Sequence, residues 1–344
     1  MITSRKVGEF KGQDVLEYTM KNVNGISVSV LNLGGVITSI YVPDKNGKEE
    51  NIVLSYRDVE SYYESPSYYG GIIGRTSGRV CNGEITISGK KYKLNKNYGV
   101  NSGHGGATGF NKKIWHVEAI KNKDNRALKL TLISPHLEEN YPGEVKVEVI
   151  YELNDKNELL FKITGTTSED TLLNITNHSY FNLSGNYKTD ILNEELKITS
   201  NEILGIDENG TVTGERYSVK NTPFDFNEFH KIGERINNEN NQLALGSGYD
   251  HTFMFDENKK IILRDKESGR VLEIETNQDA VVVYSMNFPD TLALKGDISP
   301  KKRMGICFET QAPPIGYNEI FKGNSFLSKD KVYSKYTKYT FSNI

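Results

Sequence analysis

A period of two runs through this chain and limits its fold more than any other feature. Ile26, Val28 and Val30 alternate with Ser27 and Ser29; Leu128, Leu130 and Leu132 alternate with Lys129 and Thr131. Val145, Val147, Val149, Tyr151 and Leu153 continue the pattern. Successive strand side chains point to opposite faces, so these runs predict antiparallel strands with one face on a core. Turn residues separate them. Ser88-Gly89-Lys90 lies between Ile85/Ile87 and Tyr92/Leu94. Asn154-Asp155-Lys156-Asn157 joins the runs ending at Leu153 and starting at Leu159, and residues 265–269 join 261–263 to 271–274. Asn, Asp and Gly tolerate the positive φ angles of tight turns. Helical signal is confined to residues 58–64 and 227–236, both short. There is no βαβ rhythm, repeat, low-complexity linker or shift in composition. The expected fold is all-β, a large antiparallel β-sandwich forming one domain over residues 1–344, with its loops gathered at the edges.

Composition narrows the function. A hydrophobic fraction of 36% supplies a core, and a net charge of −3 without a basic block argues against a nucleic-acid partner. No apolar run approaches the roughly 20 residues of a bilayer span, and the start MITSRKVGEF lacks the apolar core of a signal peptide. Cys81 and Cys307 are too few and too far apart for a disulfide framework, so two reduced thiols in a cytoplasmic protein are expected.

Six histidines are present: His104, His116, His136, His178, His230 and His251. His178 is the polar centre of the apolar, aromatic segment Asn177-His178-Ser179-Tyr180-Phe181-Asn182-Leu183. Partial burial would fix its ring and leave it titrating near working pH; a core-edge histidine satisfied by a carbonyl is the structural alternative. Glu309 shares one strand face with Cys307, while Ile306 and Phe308 take the other. A carboxylate there is costly unless it is paired or functional, and burial would make it a better base. Asn101-Ser102-Gly103-His104-Gly105-Gly106 has the glycines for close backbone approach but lacks a phosphate-loop ending. Gly70-Gly71-Ile72-Ile73-Gly74-Arg75-Thr76-Ser77-Gly78-Arg79 lacks the strand–helix setting of a dinucleotide site. Arg75 and Arg79 are each either a surface charge or a hydrogen-bond fork for a hydroxylated ligand. In Tyr249-Asp250-His251, Asp250 and His251 would face opposite ways; Asp250 suits vicinal hydroxyls or a turn cap. His104, His178, Asp250 and Glu309 are metal-ligand types without metal-ligand spacing, and no serine-hydrolase elbow occurs.

Taken in order, Leu31-Asn32-Leu33-Gly34-Gly35, Gly74-Arg75 through Arg79, Gly103-His104-Gly105-Gly106, Asn177 to Leu183, Tyr249-Asp250-His251, Asn287-Phe288 and Glu309-Thr310-Gln311 resemble the aldose 1-epimerase (galactose mutarotase) family. The resemblance implies a galactose mutarotase-like β-supersandwich and an isomerase that needs no cofactor or metal. Such an enzyme interconverts the α and β anomers of an aldohexose such as galactose or glucose. It implies a small sugar as partner; with the charge, hydropathy and cysteine readings above, the expectation is no nucleic acid, no membrane, and a monomer or homodimer in the cytoplasm. Carried over position by position, it implies Glu309 as general base and His178 as general acid. His104 is implied to hold the sugar near its ring and anomeric oxygens and to assist catalysis, and Arg79 and Asp250 to hold hydroxyls. Free Glu and His differ by about two pKa units, so an ionised Glu309 and a protonated His178 are expected. Three departures bear on the preferred sugar: Gly78 stands where the family often has Asn, Val282 lacks a polar side chain that many relatives carry, and Ala312-Pro313-Pro314 follows Gln311 in a looser pattern. Rival readings are a hexose-6-phosphate 1-epimerase, a non-catalytic carbohydrate-binding protein on this fold, and a glycoside hydrolase using Asp250 and Glu309.

Overall fold

The computed structural model describes residues 1–64, 66–121 and 125–344. Strands predominate, and every ladder between them is antiparallel. A nine-stranded sheet carries the long alternating runs, among them Asn125–Ser134, Val145–Asn154, Glu158–Thr167 and the C-terminal strand Tyr333–Asn343. A six-stranded sheet runs in the order Tyr180–Phe181, Ile306–Gln311, Ala280–Tyr284, Asp250–Phe255, Ser200–Ile206, Val212–Ser218. A five-stranded sheet holds the N-terminal strands from Ile2–Phe10 to Glu49–Asn51.

One apolar cluster joins the three sheets. It takes Val28 and Ile40 from the first sheet, Leu130, Val147 and Ile163 from the nine-stranded one, and Phe253, Val281, Val283, Ile306 and Phe308 from the six-stranded one. These are the alternate positions that the sequence marks as inward. Each fully buried aliphatic or aromatic side chain contributes about 1.5–3 kcal/mol, so the alternation fixes which face of each strand turns inward. The predicted hairpins form, with Ser88 and Gly89 at φ 47° and 77°, Asn157 at 65° and Gly269 at 78°.

The helices are short, as expected, but smaller than the sequence windows: Ser61–Glu64 and Ile232–Arg235. Lys322–Ser325 went unpredicted, and so did Asn241–Gly246. The Asn240 side chain caps it by accepting from the Gln242 and Leu243 amides. No helix among the described residues is long and apolar enough to cross a membrane.

A buried ion pair ties the N-terminal sheet to the nine-stranded one. Arg270 is fully buried and donates to the carbonyls of Val42, Lys48, Leu183 and Ser184 and to the Glu50 carboxylate at 3.1 Å.

Candidate functional site

The six-stranded sheet turns one face to the core and the other to a cleft. Residues 307 and 309 share the cleft face with their cross-strand neighbours: Tyr180 and Tyr284 beside Cys307, Val282 beside Glu309, Asp250 beside Tyr284. Phe308 and Ile306 lie on the core face, as the alternation predicts. The cleft has a volume of about 190 Å³; Tyr68, Arg79, His104, His178, Asp250 and Glu309 are among its lining.

Each proposed residue is held by backbone that the sequence explains. His178 follows the two-residue strand Thr176–Asn177; its N–H donates to the Gly71 carbonyl at 2.9 Å and its carbonyl accepts from Gly70 at 3.0 Å. Asn177 braces this turn, donating to the Gly70 carbonyl and the Tyr151 hydroxyl and accepting from the Ser179 amide and hydroxyl. Asn182 does the same further along, donating to the Thr189 and Met304 carbonyls. The asparagines of the motif are thus structural and hold His178 between them.

His104 and Arg79 arrive on the two glycine-rich loops, which pack on each other. Ser102–Gly103 pairs with Arg79–Val80, and the His104 amide donates to the Gly78 carbonyl at 3.0 Å. Gly105, at φ 83°, lies so close that a Cβ there would sit 1.8 Å from the Gly74 oxygen. The glycines serve loop-to-loop approach and not a phosphate. Gly105→Ala is therefore expected to cost about 3 kcal/mol through strain and overpacking. It should lower the melting temperature and kcat together; an unchanged melting curve would contradict this account of the loop.

The two arginines divide. Arg75 is neither a surface charge nor a ligand fork: it is buried and donates to Ser134 Oγ and to the carbonyls of Ser134, Pro135 and Pro142. Arg79 lies in the cleft, 3.6 Å from Asp250, donating to the Gly210 carbonyl and stacked over Tyr98. Its Nε has no partner. Asp250 faces the cleft while His251 turns inward against Phe224, as strand geometry requires. Asn287 does not reach the cleft; it donates to the Gly246 and Tyr249 carbonyls and so holds the turn before Asp250.

Glu309, His178 and His104 converge. His178 Nε2 stands 3.4 Å from Glu309 Oε1, and His104 Nδ1 3.9 Å from Glu309 Oε2. His104 Nδ1 and Glu309 Oε2 are buried without a hydrogen-bond partner. Buried polar atoms are usually paired, so two unpartnered atoms side by side on the cleft wall mark a place for a polar ligand. Among the described residues these three form the one cluster whose donor atoms, all within 4.8 Å, could also meet on an ion.

Burial reverses the expected order of acidities. It pushes Glu309 up to about 8, helped by the Asp250 charge and opposed by Arg79. It pushes His178 down to about 4, and His104 well below its usual range, the latter also through His178 and Arg79. Asp250 is raised by burial against the pull of Arg79. These directions favour a neutral free pair, with the proton on Glu309 and not on an imidazole, the opposite of the order that free side chains have.

Sequence reasoning missed the aromatic walls. The Tyr68 ring lies 5.7 Å from that of His178 and 4.8 Å from that of His104, and Tyr98 and Tyr284 complete the rim. The run Tyr68-Tyr69-Gly70-Gly71 before a glycine-rich loop was the available signal. The three departures meet in one place. Gly78, Val282 and Pro314 line a smaller adjoining chamber with Arg79, His104, Asp250 and Glu309. A Cβ on Gly78 would stand 2.7 Å from Pro314 Cγ, so the glycine and the looser proline segment belong together.

Comparison with known proteins agrees with this geometry. The family model described as aldose 1-epimerase matches residues 17–340. Galactose mutarotase of Bos taurus is 34% identical over 336 residues, covering 96% of this chain and 95% of its own. Aldose 1-epimerase of Streptococcus thermophilus is 33% identical, covering 95% and 94%. The crystal structure of galactose 1-epimerase from Lactobacillus acidophilus superposes with a TM-score of 0.90 at 28% identity, covering 100% of this chain and 99% of that one. With the family's motifs placed around one cleft and its model matched from residue 17 to residue 340, this chain belongs to the aldose 1-epimerase family.

Proposed function

We propose that the protein is an aldose 1-epimerase that interconverts the α and β anomers of a free aldohexose such as galactose or glucose. The observation that carries this reading is the 3.4 Å approach of His178 Nε2 to Glu309 Oε1 on the wall of a cleft. A base and an acid on one shared proton suit a reaction that removes one proton and returns another. Arg79 is the one cation among the described residues lining the cleft, which favours an uncharged sugar over a hexose 6-phosphate. Arg79 and Asp250 hold hydroxyls, and His104 holds the sugar near its ring and anomeric oxygens.

The chemistry balances on the pair. When sugar fills the cleft, the proton passes from Glu309 to His178 Nε2. Carboxylate Glu309 then takes the C1 hydroxyl proton as His178 protonates the ring oxygen and the C1–O5 bond breaks. The aldehyde forms with Glu309 protonated and His178 neutral, the arrangement that burial favours. Rotation about C1–C2 and the reverse transfers close the other anomer. Each positioned group is worth about 10²- to 10⁴-fold.

Polarimetry of freshly dissolved α-D-galactose and α-D-glucose in weak buffer tests the reading. Faster relaxation to an unchanged final rotation supports it; no acceleration of either sugar refutes it. The pH profile follows from the pair. Below about 4 both members are protonated and no base remains; above about 8 the shared proton is gone and no acid remains. A bell in kcat/KM with limbs near those values is expected, and a profile flat from pH 4 to 9 would contradict it.

The same reading takes residues 1–344 as one domain, working in the cytoplasm as a monomer or homodimer. Two free thiols support a reducing compartment.

A further inference from the structure

Cys307 and Glu309 are two residues apart on the strand Ile306–Gln311 and point to the same face. Between them they bracket one imidazole. Cys307 Sγ lies 3.5 Å from His178 Nδ1, and Glu309 Oε1 lies 3.4 Å from Nε2. Tyr180 and Tyr68 stack near-parallel on the ring, at 5.1 and 5.7 Å. The ring therefore has little freedom to turn, and each nitrogen meets a different chemistry.

We propose that Cys307 is a positioning residue for the epimerase reaction: its sulfur accepts the Nδ1–H of His178 and so keeps Nε2 as the nitrogen that exchanges a proton with Glu309 and the sugar. This rests on the function proposed above. Neutral imidazole has one N–H, and which nitrogen carries it is set by the partner of the other. If Nε2 already held that proton, it could not accept the one stored on Glu309. The carbonyl of His178 accepts from the Gly70 amide and also bonds its own ring, so Cys307 is the side-chain partner at Nδ1 and not its sole neighbour. The groups facing the ring and the sulfur are Glu309, His104 and Asp250 on the cleft side and the phenols of Tyr68, Tyr69, Tyr180, Tyr284 and Tyr339. Of the carboxyl groups among them, Glu309 alone reaches a ring nitrogen, and it does so at Nε2. A carboxylate behind Nδ1 would stabilise the imidazolium and weaken it as an acid. A thiol is a weak acceptor, and burial holds it protonated by pushing its pKa well up. The sulfur orients the ring without taming its acidity.

The test uses enzyme labelled with ¹⁵N-histidine, as wild type, Cys307→Ala and Cys307→Ser, with His178→Asn to assign the resonance. Long-range proton–nitrogen spectra report the tautomer whether or not the enzyme turns over. Wild type is expected to carry its proton on Nδ1. Cys307→Ala should populate the other tautomer and lose about tenfold in kcat with KM nearly unchanged. Cys307→Ser, with a stronger acceptor, should keep the Nδ1–H and most of the activity. It should also move the acid limb of the pH profile upward, because a raised His178 pKa lets the pair gain its second proton at higher pH. A proton on Nε2 in wild type would overturn the proposal, as would Cys307→Ala with the wild-type tautomer, kcat and pH profile. A wild-type enzyme with the Nδ1 tautomer but no mutarotation would sink the function and leave the tautomer assignment standing.

Discussion

Glu309→Gln is expected to lower kcat by at least about 10³-fold while the sugar still binds. The amide keeps the size and hydrogen-bonding reach of the carboxyl but cannot take a proton from the C1 hydroxyl. Nor can it store the shared proton between turnovers, so His178 has no source from which to recharge. Arg79, Asp250 and His104 remain in place, and calorimetric titration with galactose should show affinity within a few-fold of wild type. The fold should not suffer. A carboxyl held up at about 8 favours folding below its ordinary value of 4.5, and that contribution is lost as pH rises to about 8. The neutral amide escapes this loss, so the melting temperature at pH 8 should be unchanged or higher. His178→Asn should stop turnover in the same way. Near-wild-type rates in either variant would remove that residue from the mechanism.

The largest effect on stability is expected far from the cleft, in Arg270→Ala. The guanidinium is fully buried and satisfies four carbonyls as well as Glu50. Removing it strands those carbonyls and leaves one oxygen of a buried carboxylate without its arginine, although Lys48 and Lys188 still reach Glu50. Breaking a buried pair from one side typically costs about 3–5 kcal/mol. Denaturant unfolding should show a lower midpoint at unchanged slope, with the unfolding free energy reduced by that amount. The carbonyls of Leu183 and Ser184 end the segment that carries His178, so any residual folded enzyme should also turn over more slowly. A loss below about 1 kcal/mol would mean that solvent or the lysines replace the guanidinium.

Much of this was legible from the residues. Alternation at 128–132 and 145–153 gave the long strands of the nine-stranded sheet because a strand with one buried face must alternate. Turn chemistry gave the hairpins because few residues tolerate positive φ. His178 and Glu309 stood out as polar centres in apolar segments, and strand parity separated Asp250 from His251. What stayed hidden depends on long-range placement. Nothing local distinguishes Arg75 from Arg79; only the arrival of residues 134–142 makes one structural. The inverted acidities of Glu309 and His178 needed the burial of both. The helix at Asn241–Gly246 was readable from Asn240 and the following apolar pair, but its brevity hid it.

The contact between Gly78 and Pro314 has a consequence for how such a site changes over time. With a left-handed φ of 71° and proline carbons 2.7 and 2.9 Å from the missing Cβ, position 78 cannot take a side chain while residue 314 stays as it is. The reverse order is open: replacing the proline leaves a glycine that still folds. The two positions therefore form a ratchet with a permitted sequence of steps, in which the same substitution at 78 is harmful or tolerable according to what has already happened at 314. A lineage that altered its sugar pocket along this route could return only by changing residue 314 first.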